Sequence, residues 1–145
     1  MNIVITGGSG FVGSYLCERL INDGHNLIVV DNLLTGSTEN ISDLMDNDNF
    51  SFIEHDVQNH IEIENKVDYV LHFASAASPK AYTEHPVNTL KAGSIGTLNT
   101  LGLAKKHNSQ YLLASTSEVY GDPLISPQNE EYWGCLLYTS DAADD

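Results

Sequence analysis

Short apolar runs alternate along this chain with longer segments in which apolar residues recur every three or four positions. The short runs predict five strands, at 3–5, 27–30, 50–53, 67–73 and 111–114. Helical periodicity predicts helices at 11–23 and 88–107, with weaker short helices at 37–45 and 58–66 and a loop at 74–86. Strands and helices that alternate at this spacing predict right-handed βαβ units and therefore an α/β fold.

A glycine-rich turn joins the first predicted strand to the first predicted helix. It runs from Thr6 to Gly13 and contains the pattern Gly-x-Gly-x-x-Gly at Gly8, Gly10 and Gly13. Glycines here permit unusual dihedral angles, let the backbone approach a pyrophosphate, and let the helix pack closely on the strand. The helix that follows offers its N-terminal N–H groups to the phosphates. The turn therefore predicts a dinucleotide site on a Rossmann-like, doubly wound parallel sheet with strand order 3-2-1-4-5.

Asp31 supplies the second part of this signal. It ends the second predicted strand about 20 residues after the glycines, where a carboxylate accepts hydrogen bonds from the adenosine ribose. No Lys or Arg lies between positions 20 and 65 to meet a 2′-phosphate, so we predict NAD rather than NADP. Asp56 follows the third strand and is either an adenine contact or a solvated turn residue.

The charge of the chain narrows the choice of partners. Six Lys and Arg against twenty Asp and Glu give a formal net charge of −14, which disfavours binding to nucleic acid and to anionic membranes. No apolar run approaches the about 20 residues that span a bilayer. The two cysteines form neither a metal-ligand spacing nor a disulfide framework. We therefore expect a cytoplasmic protein without a metal.

Several titratable residues allow two interpretations. His72 lies in an apolar strand and fits a core histidine better than a base or ligand. His55 and His60 lack a fitting third ligand, so a zinc site is not predicted. The lysines at 91, 105 and 106 either solubilise a helix face or supply the countercharge for a diphosphate.

A cluster of hydroxyls and one carboxylate follows the fifth predicted strand. Ser115, Thr116, Ser117 and Glu118 stand where a parallel sheet places its ligands. Such groups are suited to holding and deprotonating a sugar hydroxyl. The cluster therefore predicts chemistry on a sugar.

The chain resembles the extended short-chain dehydrogenases/reductases, and among them the UDP-glucuronate decarboxylases (UDP-xylose synthases). The runs Ala74–Pro79 and Ala114–Pro123 are the most specific to that family, whereas the glycine turn is shared by the whole superfamily. The other matching runs are 7–14, 31–32, 35–36, 55–57, 89–91, 96–99 and 101–105. The resemblance extends from residue 2 to about residue 134, which we predict to be an NAD-binding domain.

This resemblance implies a reaction and a set of site residues. Bound NAD⁺ would oxidise C4 of the glucuronate ring, the 4-keto acid would lose its carboxylate, and NADH would reduce the product to UDP-xylose. Thr116 would hydrogen-bond the reacting hydroxyl, and Glu118, with Ser117, would serve the decarboxylation. The implied cofactor contacts are Gly7, Gly10, Phe11, Val12, Asp31, Asn32, Thr35, Asp56, Val57, Phe73 and Ser75. The implied UDP-sugar contacts are Lys91, Asn99, Gly102 and Lys105, and the parent enzyme is expected to be a homodimer.

One departure from the family is large. The superfamily's catalytic base is a Tyr with Lys four residues later, and none of the seven tyrosines here has Lys at that offset. Residues 135–145 depart from the family pattern, so we predict a non-native tail and a domain truncated at its C-terminus. The fragment is therefore expected to bind NAD weakly and to be inactive. The alternatives are a sugar-nucleotide 4,6-dehydratase or 4-epimerase, or a non-catalytic NAD-binding module.

Overall fold

A computed structural model describes residues 1–132 of this chain. The chain divides into two units, Met1–Leu113 and a second that begins at Ala114. The predicted tail at 135–145 lies outside the described residues. The prediction of one domain over 1–134 stays a prediction.

The first unit contains a five-stranded, wholly parallel sheet in the order β3-β2-β1-β4-β5. The predicted strand order is therefore confirmed. The strands are β1 (Asn2–Thr6), β2 (Asn26–Asp31), β3 (Phe50–Glu54), β4 (Tyr69–His72) and β5 (Gln110–Leu113). Thr6 pairs with Val30 on one side and with His72 on the other. This register brings the ends of β1, β2 and β4 to the same edge of the sheet.

Helical segments connect these strands. They are α1 (Phe11–Asn22), a 3₁₀ helix (Thr38–Leu44), α2 (Pro79–Glu84), α3 (Pro86–Lys91), a π-helical segment (Ala92–Gly96) and α4 (Thr97–His107). The second unit contains one 3₁₀ helix in its described part, Ser117–Tyr120. No helix among residues 1–132 combines the length and the apolar character that a bilayer crossing requires.

The central strands of the sheet, β1 and β2 above all, are buried on both faces, and side chains alternate between the faces with the period of two that a strand imposes. Ile3 and Ile5 pack with Cys17 of α1 on one face, whereas Val4 packs with Leu103 of α4 on the other. All five side chains are at most 3% exposed. Burial on both faces explains why these strands appear in the sequence as continuous apolar runs.

Two predicted elements are wrong. Residues 58–66 form no helix, because Ile61 and Ile63 are both buried and stand two apart, which is the spacing of an extended chain. The predicted loop at 74–86 contains α2, which Ser78 caps by accepting a hydrogen bond from the Ala81 N–H at 3.2 Å. Pro79 occupies the first turn of that helix, where its missing N–H costs nothing.

Candidate functional site

The glycine turn packs so tightly that side chains are excluded from it. Gly7 has φ of +75°, and a Cβ there would lie 2.8 Å from the Ala74 backbone nitrogen. A Cβ on Gly13 would lie 2.2 Å from the Gly7 carbonyl oxygen. Both distances are far inside van der Waals contact. The turn can therefore be built only with glycine at these positions.

The N-terminus of α1 emerges from this turn with free N–H groups. Gly10 is the N-cap residue, and no side chain of the described residues caps the helix. The first backbone bond to the cap runs from the Ser14 N–H to the Gly10 carbonyl, at 2.9 Å. The N–H groups of Phe11, Val12 and Gly13 therefore point out of the helix end, as helix geometry requires. This end could hold a pyrophosphate, since the glycines leave room for it and no acceptor among residues 1–132 meets these N–H groups.

Asp31 is buried beside the turn and already holds two backbone groups. Its side chain accepts the Ser9 N–H at 3.0 Å on one oxygen and the Leu33 N–H at 2.9 Å on the other. Leu33 adopts a left-handed conformation, with φ of 58°. Each carboxylate oxygen has a second lone pair, so a ribose hydroxyl can still donate to it. The carboxylate thus fits both a structural and a cofactor role.

Asp56 organises the loop after β3. Its carboxylate accepts from the Gln58 N–H at 2.9 Å and from the side-chain amide of Asn32 at 3.1 Å. The adjacent Val57 side chain is buried. The Val57 carbonyl accepts from the Asn99 amide at 2.8 Å. The structure therefore brings Asn32 and Asp56 together, and gives Asn99 a role in holding this loop.

A buried network under the site was missed by sequence reasoning. The Thr6 hydroxyl lies 2.6 Å from Nδ1 of His72 and 3.4 Å from the Ala74 backbone nitrogen, which donates to it. Burial, the larger effect, lowers the pKa of His72 below 6.5, and the Ala92 backbone partly offsets that shift. A lowered pKa favours the neutral imidazole, which accepts at Nδ1 when the Thr6 hydroxyl donates. The prediction of a core histidine is confirmed, since His72 is buried, and its contact with Thr6 ties β4 to β1.

The remaining predicted cofactor contacts surround the turn. Phe11 is 79% exposed and meets Tyr15 edge-on, with ring centroids 5.6 Å apart. Phe11 and Thr35 both line a groove of about 560 Å³ between α1 and the first 3₁₀ helix. Phe73 follows β4 directly, and its N–H donates to the Thr6 carbonyl at 3.0 Å. Val12 and Ser75 are exposed on the same unit.

The predicted UDP-sugar contacts lie along one helical segment. Lys91 ends α3, and Asn99, Gly102 and Lys105 follow on α4. Lys91 and Lys105 are fourteen positions apart, which corresponds to about 21 Å along a helix. Lys91, Gly102 and Lys105 are exposed, whereas the Asn99 amide is bonded to the carbonyls of Val57 and Asn59. The structure therefore spreads these four residues out rather than clustering them.

The predicted catalytic residues belong to the second unit. Thr116 caps its 3₁₀ helix by accepting the Glu118 N–H at 3.2 Å. Thr116, Ser117 and Glu118 are all exposed. Within residues 1–132, no group of three His, Cys, Asp or Glu side chains is arranged to hold a metal ion.

Residues 3–135 match the NAD dependent epimerase/dehydratase family, which is most of the chain. The chain belongs to this family. Its fold is correspondingly similar to a solved UDP-galactose 4-epimerase, with a TM-score of 0.81 and 32% identity over 94% of this chain and 45% of that structure. It is also similar to a dTDP-glucose 4,6-dehydratase from Bacillus anthracis in complex with NAD, with a TM-score of 0.78 and 28% identity over 94% of this chain and 44% of that one.

Some curated relatives are more similar to this chain in sequence than these two solved structures are. UDP-glucuronic acid decarboxylase 1 of Danio rerio is 54% identical over 132 residues, which cover 91% of this chain and 31% of the relative. UDP-glucuronic acid decarboxylase 4 of Arabidopsis thaliana is 53% identical over 134 residues, covering 92% and 30%. The chain thus spans about a third of the length of these relatives.

Proposed function

We propose that this chain binds NAD at the glycine turn, with Asp31 holding the adenosine ribose. Three observations support the proposal: the turn excludes side chains, the helix N-terminus carries free N–H groups, and a buried carboxylate lies beside both. Membership of an NAD dependent family adds to them. Bound NAD would supply an acceptor, and later a donor, of hydride.

For the whole protein we propose the decarboxylation of UDP-glucuronate to UDP-xylose through a 4-keto intermediate. The observation that carries this proposal is the 53–54% identity to curated UDP-glucuronic acid decarboxylases, against 28–32% to the solved epimerase and dehydratase. The net change is loss of the C5 carboxylate as CO₂ and its replacement by a proton. Hydride leaves C4 and returns to it, so no external oxidant is consumed.

The roles of individual residues in this reaction are part of the proposal. Thr116 would hydrogen-bond the 4-hydroxyl, and Glu118 with Ser117 would serve the decarboxylation. Lys91, Asn99, Gly102 and Lys105 would approach the UDP-sugar. These roles rest on the resemblance of the surrounding runs to the decarboxylase family. A homodimeric parent and a cytoplasmic location belong to the same proposal.

Calorimetric titration of the 145-residue chain tests cofactor binding. We expect NAD⁺ to bind at least tenfold more tightly than NADP⁺, because the sequence has no Lys or Arg between positions 20 and 65 to meet a 2′-phosphate. Asp31→Asn should weaken NAD⁺ binding, since the amide replaces one acceptor oxygen by donors. Asp48→Asn, on an exposed turn, is the control and should change nothing. Equal affinity for the two dinucleotides would contradict the proposal.

The reaction is tested on the whole protein expressed from the source gene. Incubation with UDP-glucuronate and NAD⁺ should release CO₂ and yield UDP-xylose, and Glu118→Gln should slow that release. Formation of UDP-galacturonate would indicate a 4-epimerase, and water loss from a nucleotide hexose would indicate a 4,6-dehydratase. No conversion at all would favour a non-catalytic binding module. The 145-residue chain alone should not turn over, because it has no Tyr with Lys four residues later.

A further inference from the structure

The peptide groups around Ser9, in the centre of the glycine turn, are held by atoms from outside the turn. The Ser9 N–H donates to Asp31, and the Ser9 carbonyl accepts from the Ser37 N–H at 3.1 Å. The same carbonyl accepts from the side-chain amide of Asn40 at 2.8 Å. Ser9 itself is completely buried. Asn40 is therefore the only side-chain donor among these three hydrogen bonds, and its hydrogen bond is the shortest of the three.

The position of Asn40 is fixed by its neighbours in the first 3₁₀ helix. Ser37 caps that helix by accepting the Glu39 N–H at 3.2 Å. Ile41 is 1% exposed and packs against the sheet face that also holds Cys17. These two anchors leave the backbone of Asn40 little freedom. Its side chain is thereby directed over the glycine turn.

The orientation of the Ser9–Gly10 peptide decides what the turn presents to a phosphate. Its carbonyl points to Asn40 and Ser37, and its N–H donates to the Gly7 carbonyl at 3.2 Å. If this peptide rotated, its carbonyl oxygen would face the Gly7 carbonyl oxygen, and the repulsion between them would displace the start of α1. The next residues then begin α1 with the free N–H groups. The bond from Asn40 thus opposes the rotation that would spoil an anion site.

We propose that Asn40 is a positioning residue that holds the glycine turn in the conformation competent for a pyrophosphate. This proposal rests on the proposed binding of NAD. Asn40 acts through Ser9 and needs no contact with the cofactor. Its side chain is exposed enough that Asn40→Ala leaves no cavity, and the Ser9 carbonyl keeps its bond to Ser37. The substitution therefore loosens the turn more than it destabilises the fold.

The test compares three probes that differ in their phosphates. NAD⁺ and ADP-ribose contain the pyrophosphate, whereas AMP does not. In the 145-residue chain, Asn40→Ala should raise the Kd of NAD⁺ and ADP-ribose by roughly three- to tenfold, as expected for one lost hydrogen bond. The Kd of AMP should change less than twofold. Equal losses for all three probes, or no loss for any, would overturn the proposal.

Asn22→Ala is the matched control. Asn22 lines the same groove from α1 and makes no side-chain hydrogen bond within the described residues. Its substitution should leave all three Kd values unchanged. A loss equal to that of Asn40→Ala would show that the groove surface, and not the bond to Ser9, is responsible.

Amide hydrogen exchange without any ligand separates this proposal from the proposed function. Asn40→Ala should speed exchange at residues 7–13 by several-fold, while the amides of α4 stay unchanged. If the unmodified chain binds no NAD⁺, the proposed function fails, and the exchange pattern still decides whether Asn40 holds the turn. Unchanged exchange at 7–13, or a uniform increase through the chain, would refute the role of Asn40.

Discussion

Replacing Gly13 by alanine offers the most direct check of the glycine turn. The new Cβ would lie 2.2 Å from the Gly7 carbonyl oxygen and 2.8 Å from the Gly8 Cα. Contacts of this kind do not fall below 3.0 Å, so the backbone must move by at least 3.0 − 2.2 = 0.8 Å. The obstructing atoms are backbone, and no side-chain rotation can relieve the clash.

The two opposing energies can be compared. Alanine favours a helix over glycine by about 1 kcal/mol, which partly offsets the clash. Overpacking in a well-packed region costs about 1–3 kcal/mol and sometimes more. Because this clash is between two backbone segments, we expect its cost to lie in the upper part of that range. After the helix preference of alanine is subtracted, the net loss in the free energy of unfolding is about 2 kcal/mol.

Urea denaturation followed by circular dichroism measures this loss, and Gly102→Ala is its control. A Cβ on Gly102 of α4 would meet no atom within 4 Å, so the same substitution should stabilise the chain by about 0.5–1 kcal/mol. Gly13→Ala should also weaken NAD⁺ binding more than tenfold, because displaced N–H groups lose charge-assisted bonds. The reasoning fails if Gly13→Ala unfolds at the same urea concentration as the unmodified chain, or if both variants lose equally.

Three further predictions concern buried polar groups. The Ser9 hydroxyl is buried without a partner in the described structure, so Ser9→Ala should raise the free energy of unfolding by about 1 kcal/mol in urea titrations; a loss would reveal a hidden partner. Because burial lowers the pKa of His72 below 6.5, the unfolded chain binds more protons there, and stability should fall as the pH drops below 6.5. That part of the pH dependence should be absent in His72→Gln, and an unchanged pH profile would contradict the buried neutral imidazole. Burial, followed by the nearby Asp31 charge, raises the pKa of Cys17 to about 12, so peptide mass spectrometry should find it unmodified by maleimide until urea is added; rapid labelling of the native chain would oppose this.

The sheet and the glycine turn were predictable because local signals specify them. Continuous apolar runs predicted all five strands, and the Gly8 to Gly13 pattern with Asp31 predicted the edge at which we propose dinucleotide binding. Strand order followed from the Rossmann-like type that the glycine turn indicates, and right-handed βαβ connections are consistent with it. The failure at 58–66 has a local cause as well. Ile61 and Ile63 alternate with polar residues in an extended segment, and that pattern is too short to distinguish from a weak helix.

The supporting contacts were not predictable in the same way. Thr6 and Asn40 act through partners 66 and 31 residues away, and such pairs form only once the sheet has set its register. An Asn that follows a capping Ser and precedes a buried Ile is a weak signal, because exposed loops contain many such residues. The two hydrogen bonds from the Asn99 amide to the loop after β3 likewise form only once α4 has docked. Sequence patterns therefore predicted the glycine turn and Asp31 better than the residues that hold them in place.

The two hydrogen bonds from backbone N–H groups to Asp31 have a consequence for redesigning cofactor preference. An engineer who wants NADP would replace this carboxylate, because its charge repels a 2′-phosphate. The same change would leave the N–H groups of Ser9 and Leu33 without an acceptor. The Asp31 carboxylate accepts a hydrogen bond from each of them at about 3 Å. With the proposed role of Asp31, cofactor choice and loop folding depend on the same side chain. A successful redesign must retain an acceptor at position 31 and bring the new cation in from the neighbouring loop.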